Sequence, residues 1–191
     1  MPGPSRAAVP QSVASFRAMT DHPALKAFLV RTPFFGGLAD EGLERVVGML
    51  RAREVPAGAQ VFREGESGRS MYVVESGDLV AVQSGTSGHP VKLMRFGAGD
   101  FFGETTLIEM QPRPFTVQAD VPSRLHELTN ADLYALYKAD VKTYVMVLQN
   151  INRELCRRLR RAGDRITQFA DDEKDDVTQL GVRRLPPLTS R

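Results

Sequence analysis

Residues 60–85 read QVFREGESGRSMYVVESGDLVAVQSG, and their texture decides the fold. Short β-branched or aromatic runs, QVF, SMYVV and DLVAV, are each closed by glycine or a polar turn, the pattern of strands and not of helices. VKLMRFG at 91–97 and FTVQAD at 115–120 repeat it. Evenly spaced short strands of this kind predict a small antiparallel barrel or jelly roll over residues 54–129.

Helical spacing frames this β region on both sides. Leu25, Phe28 and Leu29 keep a helical period, Pro33 breaks it, and Leu38, Leu43, Val46, Val47 and Leu50 resume it. That predicts short helices over 23–50, with Asp40 as an N-cap. Periodicity returns over 130–170. There Val141, Val145, Leu148, Asn152, Leu155, Leu159, Ala162, Ile166 and Phe169 alternate steps of four and three, a heptad seam about four heptads long. The seam predicts a homodimer through the 141–169 helix, with Asn152 fixing the register of a parallel pair; the alternative is a helix lying on its own barrel. Gly163 weakens the helix by about 1 kcal/mol relative to alanine and marks a bend or a close approach.

With 191 residues, 42% of them hydrophobic, the chain suits one well-cored domain with extra elements. A net charge of +2 gives no global field to recruit nucleic acid or a membrane. Cys156 is the only cysteine, which excludes an intrachain disulfide and a thiolate zinc cluster and fits a cytoplasmic protein. No apolar run approaches the ~18 residues needed to span a bilayer. Residues 1–20 hold no acid and carry Pro2, Pro4 and Pro10, so a disordered leader is expected in place of a targeting helix. The charged, aperiodic stretch 171–191 is expected to be a flexible tail.

Chemistry concentrates in FGETTLIEMQPRPFTV, residues 102–117. A glycine and a carboxylate open what reads as one helical turn, and Arg113 follows nine residues after Glu104. Backbone N–H groups at a helix start, here Glu104, Thr105, Thr106 and Leu107, point at an anion, and Gly103 lets the backbone approach it. Arg113 adds a planar fork that is always charged. The stretch is built for one small anion.

From Leu29 to about Leu159 the chain resembles the cyclic nucleotide-binding domain shared by catabolite activator protein, protein kinase A regulatory subunits and cyclic nucleotide-gated channels. The resemblance rests on TPFFGGLADEGLERV at the entry, VPAGAQVFREGESGRSMYVVESGDLVAV through the first strands, and GAGDFFGETTLIEMQPRPFTVQA over a phosphate-binding cassette. It implies a mainly β fold: a jelly-roll barrel with N-terminal helices and a long C-terminal helix. It implies that Gly103, Glu104, Thr105, Thr106, Arg113 and Thr116 bind the nucleotide. Glu104 would repel a phosphate, so its role is to accept from the ribose hydroxyl, while Arg113 holds the exocyclic oxygens. Thr116 matches the small hydroxyl or apolar position of the family.

The departures are as informative. Pro114 stands where the family commonly has alanine, serine or threonine, whose N–H helps to bind the phosphate. A hydrogen bond to a charged group contributes about 1.5–3 kcal/mol, so the expected loss is roughly ten- to a hundred-fold in affinity. Pro114 also removes the threonine associated with cGMP preference, which favours cAMP over cGMP. Phe115 replaces a small residue and either crowds the pocket or packs behind it. Ala162 and Gly163 stand where catabolite activator protein reaches the adenine with polar side chains, and they offer no such bond.

No enzymatic constellation competes with this reading. His22, His89 and His126 lie far apart in sequence without an HxH pair, and neither a GxxxxGK[ST] nor a GxSxG motif is present. The stretch after Phe169 offers no pair of amphipathic helices for a helix-turn-helix, so nucleic acid is not an expected partner. The expected function is a stand-alone, cAMP-sensing regulatory module without metal, which docks an unidentified protein partner by repositioning its C-terminal helices. The alternative is a ligand-free dimeric interaction protein with a degenerate cassette.

Overall fold

The computed structural model describes residues 22–85 and 88–172. The expected leader at 1–20, and the expected tail beyond residue 172, lie outside the described residues. The chain divides into two compact units, the first ending at Val147 and the second beginning at Leu148.

The first unit opens with α1 (His22–Val30), a 3-10 turn (Pro33–Phe35) and α2 (Asp40–Val47). Strands β1 (Arg51–Val55), β2 (Gln60–Phe62), β3 (Ser70–Ser76), β4 (Leu79–Ser84), β5 (Pro90–Phe96) and β6 (Phe101–Phe102) follow. Then come α3 (Glu104–Glu109), β7 (Thr116–Ala119), β8 (Ser123–Thr129), α4 (Asn130–Ala139) and the start of α5 (Val141–Asp172). Among the described residues the eight strands form two antiparallel sheets, ordered β1-β8-β3-β6 and β2-β7-β4-β5. This is the jelly roll that the strand texture predicts.

Between the sheets lies a core built from alternate residues: Phe62, Tyr72, Val74, Leu79, Ala81, Phe96, Phe102, Val117 and Leu125 among them. Phe102 is its hub, with ring centroids 4.9 Å from Phe96, 5.5 Å from Tyr72 and 5.8 Å from Phe62. Its neighbour Phe101 points the other way, as period-two alternation requires, and meets Phe34 of the 3-10 turn at 5.3 Å. The sheet containing β6 is thereby packed on both faces at this point, and the residue that follows Phe102 is Gly103, the first of the candidate site residues.

β8 is an inner strand that the sequence hides. SRLHELT reads as polar, yet Ser123, Arg124 and His126 are buried. Cross-strand partners explain it. Glu75 Oε2 accepts from Arg124 Nε at 2.9 Å and lies 2.6 Å from His126 Nε2, while Arg124 Nη1 reaches Glu54 at 2.9 Å. Burial holds the His126 imidazole below its ordinary pKa, against the pull of Glu75. Below about pH 6.5 the unfolded chain binds a proton at this residue that the folded chain still refuses. Stability at this residue is therefore full above that pH and declines as pH falls through the lower folded value. His126→Gln is expected to flatten the decline, which urea unfolding at pH 7.5 and 5.5 measures.

Two helix starts refine the sequence reading. Ala39, extended at ψ 156°, is the N-cap of α2, and Asp40 is the first helical residue, with its carboxylate 3.2 Å from Lys26 Nζ. Asp40 thus complements the helix start as a charge and not as a cap. α4 carries a capping box that the sequence reading missed: the Thr129 hydroxyl accepts from Asp132 N, and Asp132 accepts from Thr129 N. Arg51 clamps the same carboxylate at 2.7 and 3.0 Å, tying α4 to β1.

The second unit is α5 from Leu148 onward. Glu154 gathers Arg157, Arg158 and Arg161 at 2.6, 3.2 and 2.7 Å. Gly163 sits inside this helix, and a Cβ built there meets nothing within 4 Å. No helix among the described residues is long and apolar enough to cross a membrane.

Candidate functional site

Phe102 enters the core, and the chain must turn sharply to leave it. Gly103 makes that turn at φ 83°, a left-handed conformation that glycine adopts without strain. α3 follows immediately, and Gly103 supplies no side-chain cap to its first turn. Glu104 is only 2% exposed and Thr106 is buried beside it, whereas Thr105 is half-buried. Met110 closes the helix in the left-handed region at φ 54°, its N–H donating to Thr106 O.

Arg113 then returns under this turn. It is not a solvated loop charge: only 4% of it is exposed. Its Nη1 donates to Gly103 O at 3.0 Å and to Thr106 Oγ1 at 3.3 Å. Nη2 donates to Ser70 O at 2.7 Å and to Ser70 Oγ at 3.5 Å. The guanidinium carbon lies 4.0 Å above the centre of the Phe62 ring. Nε is buried with no hydrogen-bond partner among the described residues. Burial pushes the guanidinium pKa below its ordinary value, while Tyr72, Glu66, Glu104 and Glu127 oppose that shift.

The fork fits because two glycines leave room for it. A Cβ at Gly68 would stand 2.3 Å from Arg113 Nε, and one at Gly103 would stand 2.7 Å from Nη1. The backbone of Arg113 is fixed as well: its N–H donates to Glu66 O at 2.8 Å, and its carbonyl accepts from Gly65 N at 2.9 Å. Pro114 therefore begins a turn whose entry is already locked, and its exposed carbonyl takes Gln83 Nε2 at 3.2 Å. Phe115 packs against the core with its ring 6.4 Å from Phe62.

The structure brings Gly103, Thr106 and Arg113 into direct contact and sets Glu104 and Thr105 on the same turn. Thr116 is engaged elsewhere, its hydroxyl accepting from Glu64 N at 3.0 Å. Ser70, Gly68 and Phe62 complete the cage and were not singled out in the sequence. A cleft of 1020 Å³ opens beside the cage, lined by Gly68, Ser70 and Thr106 together with Met110, Pro112 and Tyr134.

Two facing four-stranded sheets, with a helical turn interrupting them between β6 and β7, define a helix-flanked jelly roll of the cyclic nucleotide-binding type. The family profile described as the cyclic nucleotide-binding domain matches residues 52–140. A cyclic nucleotide-gated potassium channel of Rhizobium etli is 36% identical over 129 residues, covering 68% of this chain and 31% of the channel. The cyclic AMP receptor protein of Thermus thermophilus is 30% identical over 131 residues, covering 69% of this chain and 59% of the receptor. The crystal structure of Thermus thermophilus catabolite activator protein superposes with a TM-score of 0.65 at 28% identity, covering 73% of this chain and 63% of that one. Residues 52–140 of this chain are thus a domain of the cyclic nucleotide-binding type. The chain spans less than two thirds of either curated relative.

Proposed function

We propose that the cassette binds a cyclic nucleotide, cAMP in preference to cGMP, and that the domain is a cytoplasmic, homodimeric regulator which signals through its C-terminal helices to a protein partner. One observation carries the reading. Arg113 is only 4% exposed and its guanidinium donates to neutral acceptors; Glu66, Glu104 and Glu127 act on its charge only at longer range, with no ion pair to it among the described residues. A buried charge without a direct ion-pair partner costs several kcal/mol, on the order of the penalties that normally force pairing. A single negative charge at this cage would relieve that cost and give the orphaned Nε a partner.

In this reading Arg113 turns part of its fork from Ser70 O and Gly103 O to the phosphate. The N–H groups of the first turn of α3 approach the same charge, and Glu104 accepts from the ribose 2′-OH. Release of Ser70 O has a route outward, because the preceding Arg69 O accepts from the N–H of Asn130, the first residue of α4, at 2.8 Å. Movement at the cage thus reaches the start of α4 through two adjacent carbonyls.

A second reading also rests on an observation: Nη1 and Nη2 are already satisfied by the protein, and Pro114 gives no N–H. In a ligand-free interaction domain the same arginine would lock the turn. Equilibrium dialysis against cAMP, cGMP and cyclic dinucleotides separates the two readings, since the second expects no retention of any of them at millimolar concentration. Pro114→Ala restores the missing donor and is expected to tighten cAMP binding by about ten- to a hundred-fold. Unchanged affinity in Pro114→Ala would show that this N–H does not reach the ligand.

A further inference from the structure

The cage that holds Arg113 is itself held by a tyrosine, and we infer that Tyr72 is a positioning residue for the Arg113 guanidinium, acting through Ser70. This inference rests on the nucleotide-binding reading for its consequence but not for its geometry.

Tyr72 is 4% exposed, and its hydroxyl makes three polar contacts. It donates to Glu127 Oε1 at 3.0 Å, and it accepts from Arg53 Nη1 at 3.1 Å and from Ser70 Oγ at 3.1 Å. One proton and two lone pairs are the full capacity of a phenol, so nothing in this group is left over. The assignment fixes Ser70. Its hydroxyl proton is committed to Tyr72, so its oxygen turns a lone pair toward Arg113 Nη2, whose closer bond is to the carbonyl of the same residue. Without Tyr72 OH the serine hydroxyl could rotate and present its proton to a cation.

The ring of Tyr72 serves the other arm of the fork. It stacks on Phe102 at 5.5 Å with a 28° tilt, and the two residues are register partners in β3 and β6. Phe102 is bonded to Gly103, whose carbonyl receives Nη1. One side chain therefore touches both arms of the cage, Ser70 through its hydroxyl and, through the Phe102 ring, the residue that precedes Gly103. At its far end it is anchored to Arg53 and Glu127, which lie in less buried positions on β1 and β8.

Tyr72→Phe keeps the ring and its stacking and removes only the hydroxyl. Two readouts test the inference. In nitrogen-15 NMR of the full chain without ligand, the native Arg113 Nε–H is expected to exchange slowly with water, and in Tyr72→Phe and Ser70→Ala alike its exchange is expected to accelerate at least several-fold. In cAMP titrations, Tyr72→Phe is expected to bind about three- to ten-fold more weakly than the native protein, the effect of losing one neutral hydrogen bond. Placed on Arg113→Lys, which has no fork to orient, the same change is expected to add nothing. Unchanged Arg113 exchange in Tyr72→Phe, or a full additive loss on the Arg113→Lys background, overturns the positioning role. If the native protein retains no nucleotide, the proposed ligand falls, and the Arg113 exchange rate still decides the role of Tyr72.

Discussion

Arg113→Met is expected to weaken cyclic nucleotide binding by at least a hundred-fold while leaving the melting temperature of the ligand-free protein nearly unchanged. Both halves follow from the cage. Two charge-assisted hydrogen bonds to a phosphate contribute about 1.5–3 kcal/mol each, which converts to a loss of about two to four decades. For stability the terms oppose one another. Methionine forfeits the cation–π contact with Phe62, a contribution of about 2 kcal/mol when desolvated, and removes the Arg113 donors from the carbonyls of Gly103 and Ser70. It also removes a buried charge that makes no direct ion pair among the described residues, a charge whose desolvation costs on the order of several kcal/mol. Thermal unfolding with and without saturating cAMP reads both quantities together: the ligand-free midpoint should stay within a few degrees, and the ligand-induced rise should vanish. A protein that loses much of its stability yet keeps the ligand-induced rise would make Arg113 a structural residue only.

For the homodimer proposed above, Leu159→Asp is expected to convert the dimer into a monomer. In the single chain Val141 is 53% exposed, Val145 44%, Leu159 74%, Ile166 42% and Phe169 68%. These five are seam positions of one continuous helix, Val141–Asp172, and a heptad stripe left to water is what a coiled-coil partner covers. The seam is flanked on one side by Cys156 and Gly163 and on the other by Arg158 and Arg165, so a parallel pair places each arginine opposite a small neutral residue. An aspartate at the most exposed seam position would bury a charge against its own copy, with an expected loss of at least about 3 kcal/mol of association, or over a hundred-fold. Sedimentation velocity at micromolar concentration should show the native protein at twice the protomer mass and Leu159→Asp at one. Asn152→Leu, by contrast, should strengthen association while relaxing register.

What the sequence made legible is the part of the fold written in local pattern. SMYVVES, LVAVQS and TVQA became β3, β4 and β7 because their β-branched and aromatic content is a strand signal wherever they lie. The glycine at 103 was legible for the same reason, since a single residue sets the turn. β8 was not, because its polar residues are buried only through Glu75 and Glu54, 49 and 70 residues away from Arg124 in sequence. The cassette divides along the same line. Gly103, Glu104 and Arg113 are read from one short stretch, but the burial of Arg113 depends on Gly68, Ser70 and Phe62 in and around β2 and β3. A glycine chosen for the space it leaves near a distant arginine carries no local signature. Thr116 illustrates the converse: its place in the motif was clear, and its hydroxyl is held by the backbone of Glu64.

The cage geometry and Pro114 together set the expected strength of the site. The most direct measurement is a calorimetric titration of cAMP into the native protein, with Arg113→Met as its control. Saturable one-site binding, tighter than millimolar, at one nucleotide per protomer and absent from Arg113→Met is the predicted result. No heat from the native protein at millimolar cAMP, with the same silence for cGMP and cyclic dinucleotides, would contradict the account and leave the buried arginine as a lock without a ligand.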